Sequence, residues 1–425
     1  MATDGPGPAA PGRTVALPTP VAAAVAALPR PVCGYVYDRA VLAARAAALR
    51  AALPPGTGLL YAVKANGHPA VVAALAEAVD GLEVASGGEL DLAVAAGARE
   101  VVFGGPAKTD AELRAAVAAG ALVHVESALE LRRLALAAAG SGAGSAGAAP
   151  SGAPASGVGP AGRPVAVAVR VNRSAAGPGG SHRMTGAPTP FGVAEAQLGE
   201  VLTLAATLPG LRVVGFHLHA VSNNLDAAAH ARFIADAVAW SVAAAGRHRV
   251  ALRYVNVGGG LGVDYVGREA FDLAALRAGL AGLAGGGALP PGVRLVVEPG
   301  RFLTADAGWY AAEVLDLKRT HGRWFAVLRG GTHHFRLPAA WGYSHPFAVL
   351  PVEAWPYPFP RPQVRDVAVD AVGELCTPRD VLTRGQRVGR LRVGDVLVFD
   401  RAGAYGWDIS HHDFLRHPYP RMVVL

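Results

Sequence analysis

Eight short apolar runs recur through residue 297: Leu59–Val63, Leu82–Ala85, Val101–Phe103, Leu122–Val125, Val165–Val171, Val213–His219, Tyr254–Val257 and Arg294–Val297. Between them lie alanine- and leucine-rich stretches of helical spacing, such as Pro69–Val79, Glu89–Ala96, Asp110–Ala118 and Asp226–Ala245. An apolar strand followed by an amphipathic helix is the repeating unit of a parallel sheet, because parallel neighbours need a crossover. Eight such units over roughly 250 residues predict an α/β fold, a (β/α)8 TIM-type barrel, with a doubly wound sheet as the alternative. From about residue 306 the helical pattern fades. Trp324–Leu328, Val364–Val369, Val396–Phe399 and Met422–Leu425 read as strands of a C-terminal β-domain. The expected boundaries are a mobile Pro/Ala arm over residues 1–31, the barrel over 32–305 and the β-domain over 306–425. A Gly/Ser/Ala/Pro segment at 140–162 cannot build a core and reads as a surface insertion.

Composition narrows the function classes. With 52% hydrophobic and 17% charged residues the chain is not disordered. Its mean hydropathy of +0.31 comes from alanine and short Val/Leu runs. No window offers the roughly 20 uninterrupted apolar residues of a spanning helix, so no membrane role is expected. The net charge of +7 is carried by scattered arginines without a five-residue basic run. Nucleic acid is therefore not an expected partner. Cys33 and Cys376 form no disulfide framework, which suits a cytoplasmic protein. Val21–Leu28 is too short and proline-flanked for a signal peptide. Only three residues are lysine: Lys64, Lys108 and Lys318.

In a barrel of this kind the chemistry sits where the strands end. Past the eight runs stand Lys64-Ala-Asn66, Ser86-Gly-Gly88, Gly104-Gly105, Glu126-Ser127, Asn172-Arg173, His219, Gly258-Gly-Gly260 and Glu298-Pro-Gly-Arg301. Lys64 ends an apolar strand, where desolvation would lower its pKa and make it a nucleophile toward carbonyls, unless it snorkels out to solvent. Lys108 precedes a helix cap at Thr109 or Asp110, and Lys318 lies on an ordinary surface strand, so Lys64 is the candidate amine. Glu298 could face a pyridinium nitrogen or simply pair with Arg301. The glycine run could admit a phosphate or be a plain βα turn. His217 and His219 share a strand face and could bind a metal or stack on a flat ring.

Several segments, in order, resemble the fold-type III pyridoxal-phosphate decarboxylases, the diaminopimelate/ornithine decarboxylase group. They are Tyr61-Ala-Val-Lys64-Ala-Asn66, Val84-Ala-Ser-Gly-Gly-Glu89, Thr189-Pro-Phe-Gly192, Gly215-Phe-His-Leu-His219, Gly258-Gly-Gly260, Glu298-Pro-Gly-Arg301, Gly373-Glu-Leu-Cys376 and Gly403-Ala-Tyr-Gly406. The resemblance implies pyridoxal 5'-phosphate as cofactor, carried by Lys64 as a Schiff base. It implies His219 stacked on the ring and Glu298 at its nitrogen. It also implies Ser222, Gly259, Gly260, Arg301 and Tyr405 around the phosphate. Glu83 stands where the family has Asp. Cys376, from the partner subunit of a homodimer with shared active sites, would protonate Cα. No metal is implied.

The departures concern the substrate. Thr377 follows Cys376 where the family carries a carboxylate for a distal ammonium, and Arg379 adds positive charge nearby. Arg183, His333, His334, Arg336, Arg379, Asp380, His411 and His412 are the expected substrate-facing groups; His182 and His345 belong to the same anion-favouring set. Arginine and histidine donors suit a polycarboxylate. The strings Gly330-Gly-Thr-His-His-Phe-Arg336 and Ile409-Ser-His-His-Asp-Phe414 resemble the siderophore-biosynthesis branch, whose members decarboxylate an amino acid joined to citrate, such as citryl-diaminopropionate. A diaminopimelate, ornithine or lysine decarboxylase and a non-catalytic pyridoxal-phosphate-binding protein are the alternatives. Glu298 argues against a racemase, which would place arginine at the ring nitrogen.

Overall fold

The computed structural model describes residues 13–141, 164–175, 177–267, 269–284 and 288–425. Nearly all of the 140–162 insertion therefore lies outside the described residues. The chain forms two compact units. One comprises Ala43–Val263 and Ala270–Leu303. The other comprises the chain up to Leu42, Asp264–Glu269 and Thr304–Leu425.

The first unit is a closed parallel barrel. Its strands are β1 (Gly58–Ala62), β2 (Gly81–Val84), β3 (Val101–Phe103), β4 (Leu122–Val125), β5 (Val165–Asn172), β6 (Leu211–His217), β7 (Tyr254–Asn256) and β8 (Arg294–Val297). Each pairs in parallel with its chain neighbour, and β8 closes on β1. All eight apolar runs of the sequence are these strands. They were legible because strands covered on both faces become continuous apolar runs. Leu60, Val102, Ala168, Val214, Tyr254 and Val296, from six different strands, meet in one buried cluster. They fill the barrel as a core and give the groups above them a fixed floor.

Local chemistry starts the intervening helices. Ser86 accepts from the Glu89 amide. Thr109 and Glu112 form a reciprocal capping box on Asp110–Ala118. Asp226 caps Ala227–His248 by accepting from the Ala229 amide. Among the described residues no helix is long and apolar enough to cross a membrane.

The second unit differs from the expected boundaries. Cys33–Tyr37 is not a barrel strand. It pairs antiparallel with Gly308–Thr320 and parallel with Arg421–Val424. Residues expected in a mobile arm form the helix Thr19–Ala26. Val21, Val25 and Leu28, spaced along one helical face, are buried with Val32, Val36, Trp309, Ala311, Val396 and Val398. Proline and alanine content masked that apolar stripe. Gly308–Thr320 also pairs with Arg323–Leu328 and Val396–Phe399. Gln363–Val372 then joins Arg323–Leu328 to Val381–Arg392.

Candidate active site

Lys64 lies in a single 3-10 turn, Val63–Ala65, that ends β1. Its Nζ is 2.5 Å from Glu83 Oε2 at the end of β2. The side chain of Lys64 is 45% exposed, whereas that of Glu83 is 5% exposed. The expected burial of Lys64 is thus corrected: its neighbour is the buried group, and the lysine side chain stays partly accessible. Burial pushes the Glu83 carboxyl up, Lys64 pulls it down, and Glu298 pushes it up again. Gly104, after β3, is a steric condition for this arrangement. A Cβ there would stand 3.1 Å from Glu83 Oε1.

Glu298 follows β8 and is buried. Asn256 Nδ2 donates to its Oε1 at 2.6 Å. His217 Nε2 is 3.4 Å from Oε2, and His124 Nδ1 is 3.9 Å from Oε1. The His124 and His217 rings stack at 4.1 Å and 23°. Burial holds both imidazoles well below their ordinary pKa, so both are neutral.

His219 continues past β6 and accepts from the Gly259 amide through Nδ1 at 3.3 Å. Its ring is fixed against the glycine turn, for a Cβ on Gly258 would fall 2.3 Å from Nδ1. Gly258 and Gly260 have φ of 70° and 98°, a region glycine enters without strain. Ser222 lies in a two-residue strand paired with His182–Arg183. Next to it, the Asn224 amide donates to Gly260 O at 2.8 Å. Arg301 begins the short helix Arg301–Thr304 and is buried.

These residues fit a pyridoxal group. A lysine amine, a buried carboxylate that accepts from the uncharged Asn256 amide and a fixed flat ring stand at the strand ends of one barrel. Beside them is a turn from which side chains are excluded. Sequence reasoning missed the supports. Glu126 accepts from Arg170 Nη1 and from the Gly192 amide, both at 2.8 Å, and so anchors the Thr189–Gly192 motif. Tyr254 and Asn256, two apart on β7, share a face; that spacing was the available signal.

In the second unit the nominated residues divide. Cys376 is a free, exposed thiol. Arg336 and Arg379 are exposed, and His411 and His412 are half-buried. His412 stacks on Trp407 at 3.6 Å. Tyr405 adopts φ 53°. Asp380, expected to face substrate, instead accepts from the Thr332 and Leu375 amides at 2.6 and 2.8 Å and ties two loops together. His333 and His334 are fully buried. Burial pushes His334 down to about 3, and its Nδ1 is 3.4 Å from Cys33 Sγ. His345 is likewise buried, with Nε2 against Asp400 O at 2.7 Å. Glu374 holds Arg329 and accepts from the Gly330 amide. Burial raises its carboxyl, but His333 and Arg329 outweigh that and hold it at about 2.

Residues 39–305 match the family model described as "pyridoxal-dependent decarboxylase, pyridoxal binding domain". The chain belongs to the pyridoxal-dependent decarboxylases. A 2-[(L-alanin-3-ylcarbamoyl)methyl]-2-hydroxybutanedioate decarboxylase from Staphylococcus aureus is 37% identical over 422 residues, covering 96% of this chain and 97% of that one. A diaminopimelate decarboxylase from Pseudomonas fluorescens is 31% identical, covering 88% and 83%. Among solved structures, diaminopimelate decarboxylase from Helicobacter pylori complexed with L-lysine superposes with a TM-score of 0.77. It is 24% identical and covers 93% of this chain and 91% of that one, a likeness of fold. This pyridoxal-dependent decarboxylase therefore uses the cofactor its strand ends fit.

Proposed function

We propose that this decarboxylase acts on the amino-acid end of a diamino acid joined to citrate by an amide, as a step in carboxylate-siderophore assembly in the cytoplasm. The observation that carries the reading is the end-to-end likeness to the Staphylococcus aureus enzyme. The compound in that enzyme's name is citrate with one terminal carboxyl turned into an amide on the side-chain nitrogen of 2,3-diaminopropionate. The match spans the second unit as well as the barrel. A further observation disfavours a free diamino acid. The two carboxylates flanking Cys376, Glu374 and Asp380, are already engaged, by Arg329 and the Gly330 amide and by two backbone amides. Neither is left to receive a distal ammonium, and Thr377 offers no charge.

The residues divide the work. Pyridoxal phosphate supplies the conjugated ring into which the electron pair at Cα can spread when carbon dioxide leaves. Lys64 would hold the cofactor, with Glu83 orienting its Nζ. Glu298 would face the ring nitrogen and favour its protonated form. His219 would fix the ring's face, and Ser222, Gly259, Gly260 and Arg301 would hold the phosphate; the resemblance adds Tyr405 to that set. Cys376 of a second copy, in a homodimer with shared sites, would deliver a proton to Cα in place of the lost carboxylate. Arg183, Arg336, Arg379 and His411 offer donors to the citryl carboxylates.

The test is carbon dioxide release by the loaded enzyme. Candidate substrates are the citrate amide of 2,3-diaminopropionate and free diaminopimelate, ornithine and lysine. The reading predicts turnover of the amide alone. Turnover of a free diamino acid with none of the amide would overturn it.

A further inference from the structure

The loop Gly373–Asp380, which joins Gln363–Val372 to Val381–Arg392, has a buried root and an exposed tip. Gly373, Leu375 and Asp380 are buried, whereas Cys376, Pro378 and Arg379 are exposed. Asp380 is 2% exposed, and each oxygen of its carboxyl takes one backbone amide. Oδ2 accepts from Leu375, the residue before Cys376, at 2.8 Å. Oδ1 accepts from Thr332, in the neighbouring loop, at 2.6 Å. Main-chain bonds close the same loop. The Gly373 amide donates to Asp380 O at 2.9 Å, and the Asp380 amide donates to Thr377 O at 3.2 Å. The Glu374 amide donates to Gly330 O at 3.0 Å, a second stitch between the two loops. The carboxyl fits because two glycines line its seat. A Cβ on Gly331 would stand 2.6 Å from both oxygens, and one on Gly373 would overlap Oδ2.

We propose that Asp380 is the positioning residue of Cys376: its carboxyl, seated between Gly331 and Gly373, fixes the loop that presents the thiol. The proposal rests on the reading of Cys376 above as the group that delivers a proton to Cα. In that step the bond from Cα to the departing carbon dioxide breaks with its electron pair left at Cα. The thiol's proton forms the new C–H bond, and solvent restores the thiol. A thiol at an exposed tip serves one face of Cα only if its backbone is held, because a misplacement of about 1 Å costs about a hundredfold in rate. The side chain of Leu375 is buried and its amide is bonded, so the residue beside Cys376 is fixed on both counts. Removing the carboxyl would take the acceptor from two amides at once, one in each loop. Asp380 thus serves the proton donor through the loop rather than the substrate directly.

The test follows two readouts in Asp380→Asn, whose side chain can accept from one of the two amides but turns an NH2 toward the other. The first is hydrogen exchange of the whole chain without cofactor. Protection of the Leu375 or Thr332 amide should fall by about tenfold or more, the scale of a buried donor left without its acceptor. The second is decarboxylation in heavy water of whichever compound of the set above the wild type accepts. The wild type should place deuterium on one face of Cα. Asp380→Asn should place it on both, with carbon dioxide release lowered about ten- to a hundredfold at unchanged KM. Gly373→Ala, which keeps the carboxyl and fills its seat, should give the same mixture. Deuterium on a single face in both variants would overturn the proposal, as would undiminished protection of both amides in Asp380→Asn. A mixture from the wild type, or a single face from Cys376→Ala, would remove the reading of Cys376 and this inference with it. A wild type that decarboxylates none of the set would remove the proposed function and the inference together.

Discussion

The barrel contains two lysine–glutamate pairs, and they are opposites. Lys108 Nζ donates to Gly105 O, His124 O and Glu130 Oε1 at 2.6, 2.8 and 2.7 Å. Its side chain is 1% exposed and that of Glu130 4%. Every donor of that ammonium is used, and the loop after β3, the end of β4 and the helix Ala128–Ser141 are pinned together. Lys64 has a buried partner too, yet 45% of its side chain remains accessible. A buried cation with all three hydrogens engaged is a structural rivet. A reachable amine beside a buried carboxylate can leave its partner and react. Burial would nominate Lys108, and the position just past a strand end nominates Lys64.

The comparison can be broken by substitution. Lys64→Ala should lower carbon dioxide release by more than about a thousandfold, the scale of losing a positioned reactive group. Its thermal midpoint should move little. Lys108→Met should do the reverse in kind, destabilising the fold by about 3–5 kcal/mol in denaturant unfolding. It leaves a buried carboxylate and two carbonyls without their cation. If Lys108→Met kept wild-type stability, the rivet would be refuted.

A smaller effect is expected from Glu130→Gln, about 1 kcal/mol. Burial pushes the Glu130 carboxyl up even with Lys108 beside it. The folded state therefore holds this proton to higher pH than the unfolded chain does. The resulting stabilisation is present at acid pH and is lost as pH rises from about 4.5 through the folded value. Glu130→Gln should remove that part of the slope in a plot of melting temperature against pH.

How far the sequence could be read follows the same contrast between local and distant causes. The barrel strands were legible because each is a local apolar run, and the helices because each carries its own cap, as at Thr109 and Asp226. The strand Cys33–Tyr37 is absent from the runs read in the sequence, and its partners, Gly308–Thr320 and Arg421–Val424, lie at the other end of the chain. No local pattern reports such pairing. The site's reactive groups could be found at strand ends, one element at a time. Their supports could not. The acceptors of Lys108 come from three segments, and the amides that Asp380 holds come from two loops. Histidine-rich strings suggested an anion pocket, but His333, His334 and His345 are fully buried interior groups. The exposed Arg336 and Arg379 and the half-buried His411 are what remain of that expectation.

With only three lysines in the chain, one measurement separates the two pairs directly. Borohydride reduction of the pyridoxal-phosphate-loaded protein fixes the cofactor on whichever amine carries it, and peptide mass spectrometry locates the label. The account predicts the label on Lys64 alone. A label on Lys108 or Lys318 would contradict it.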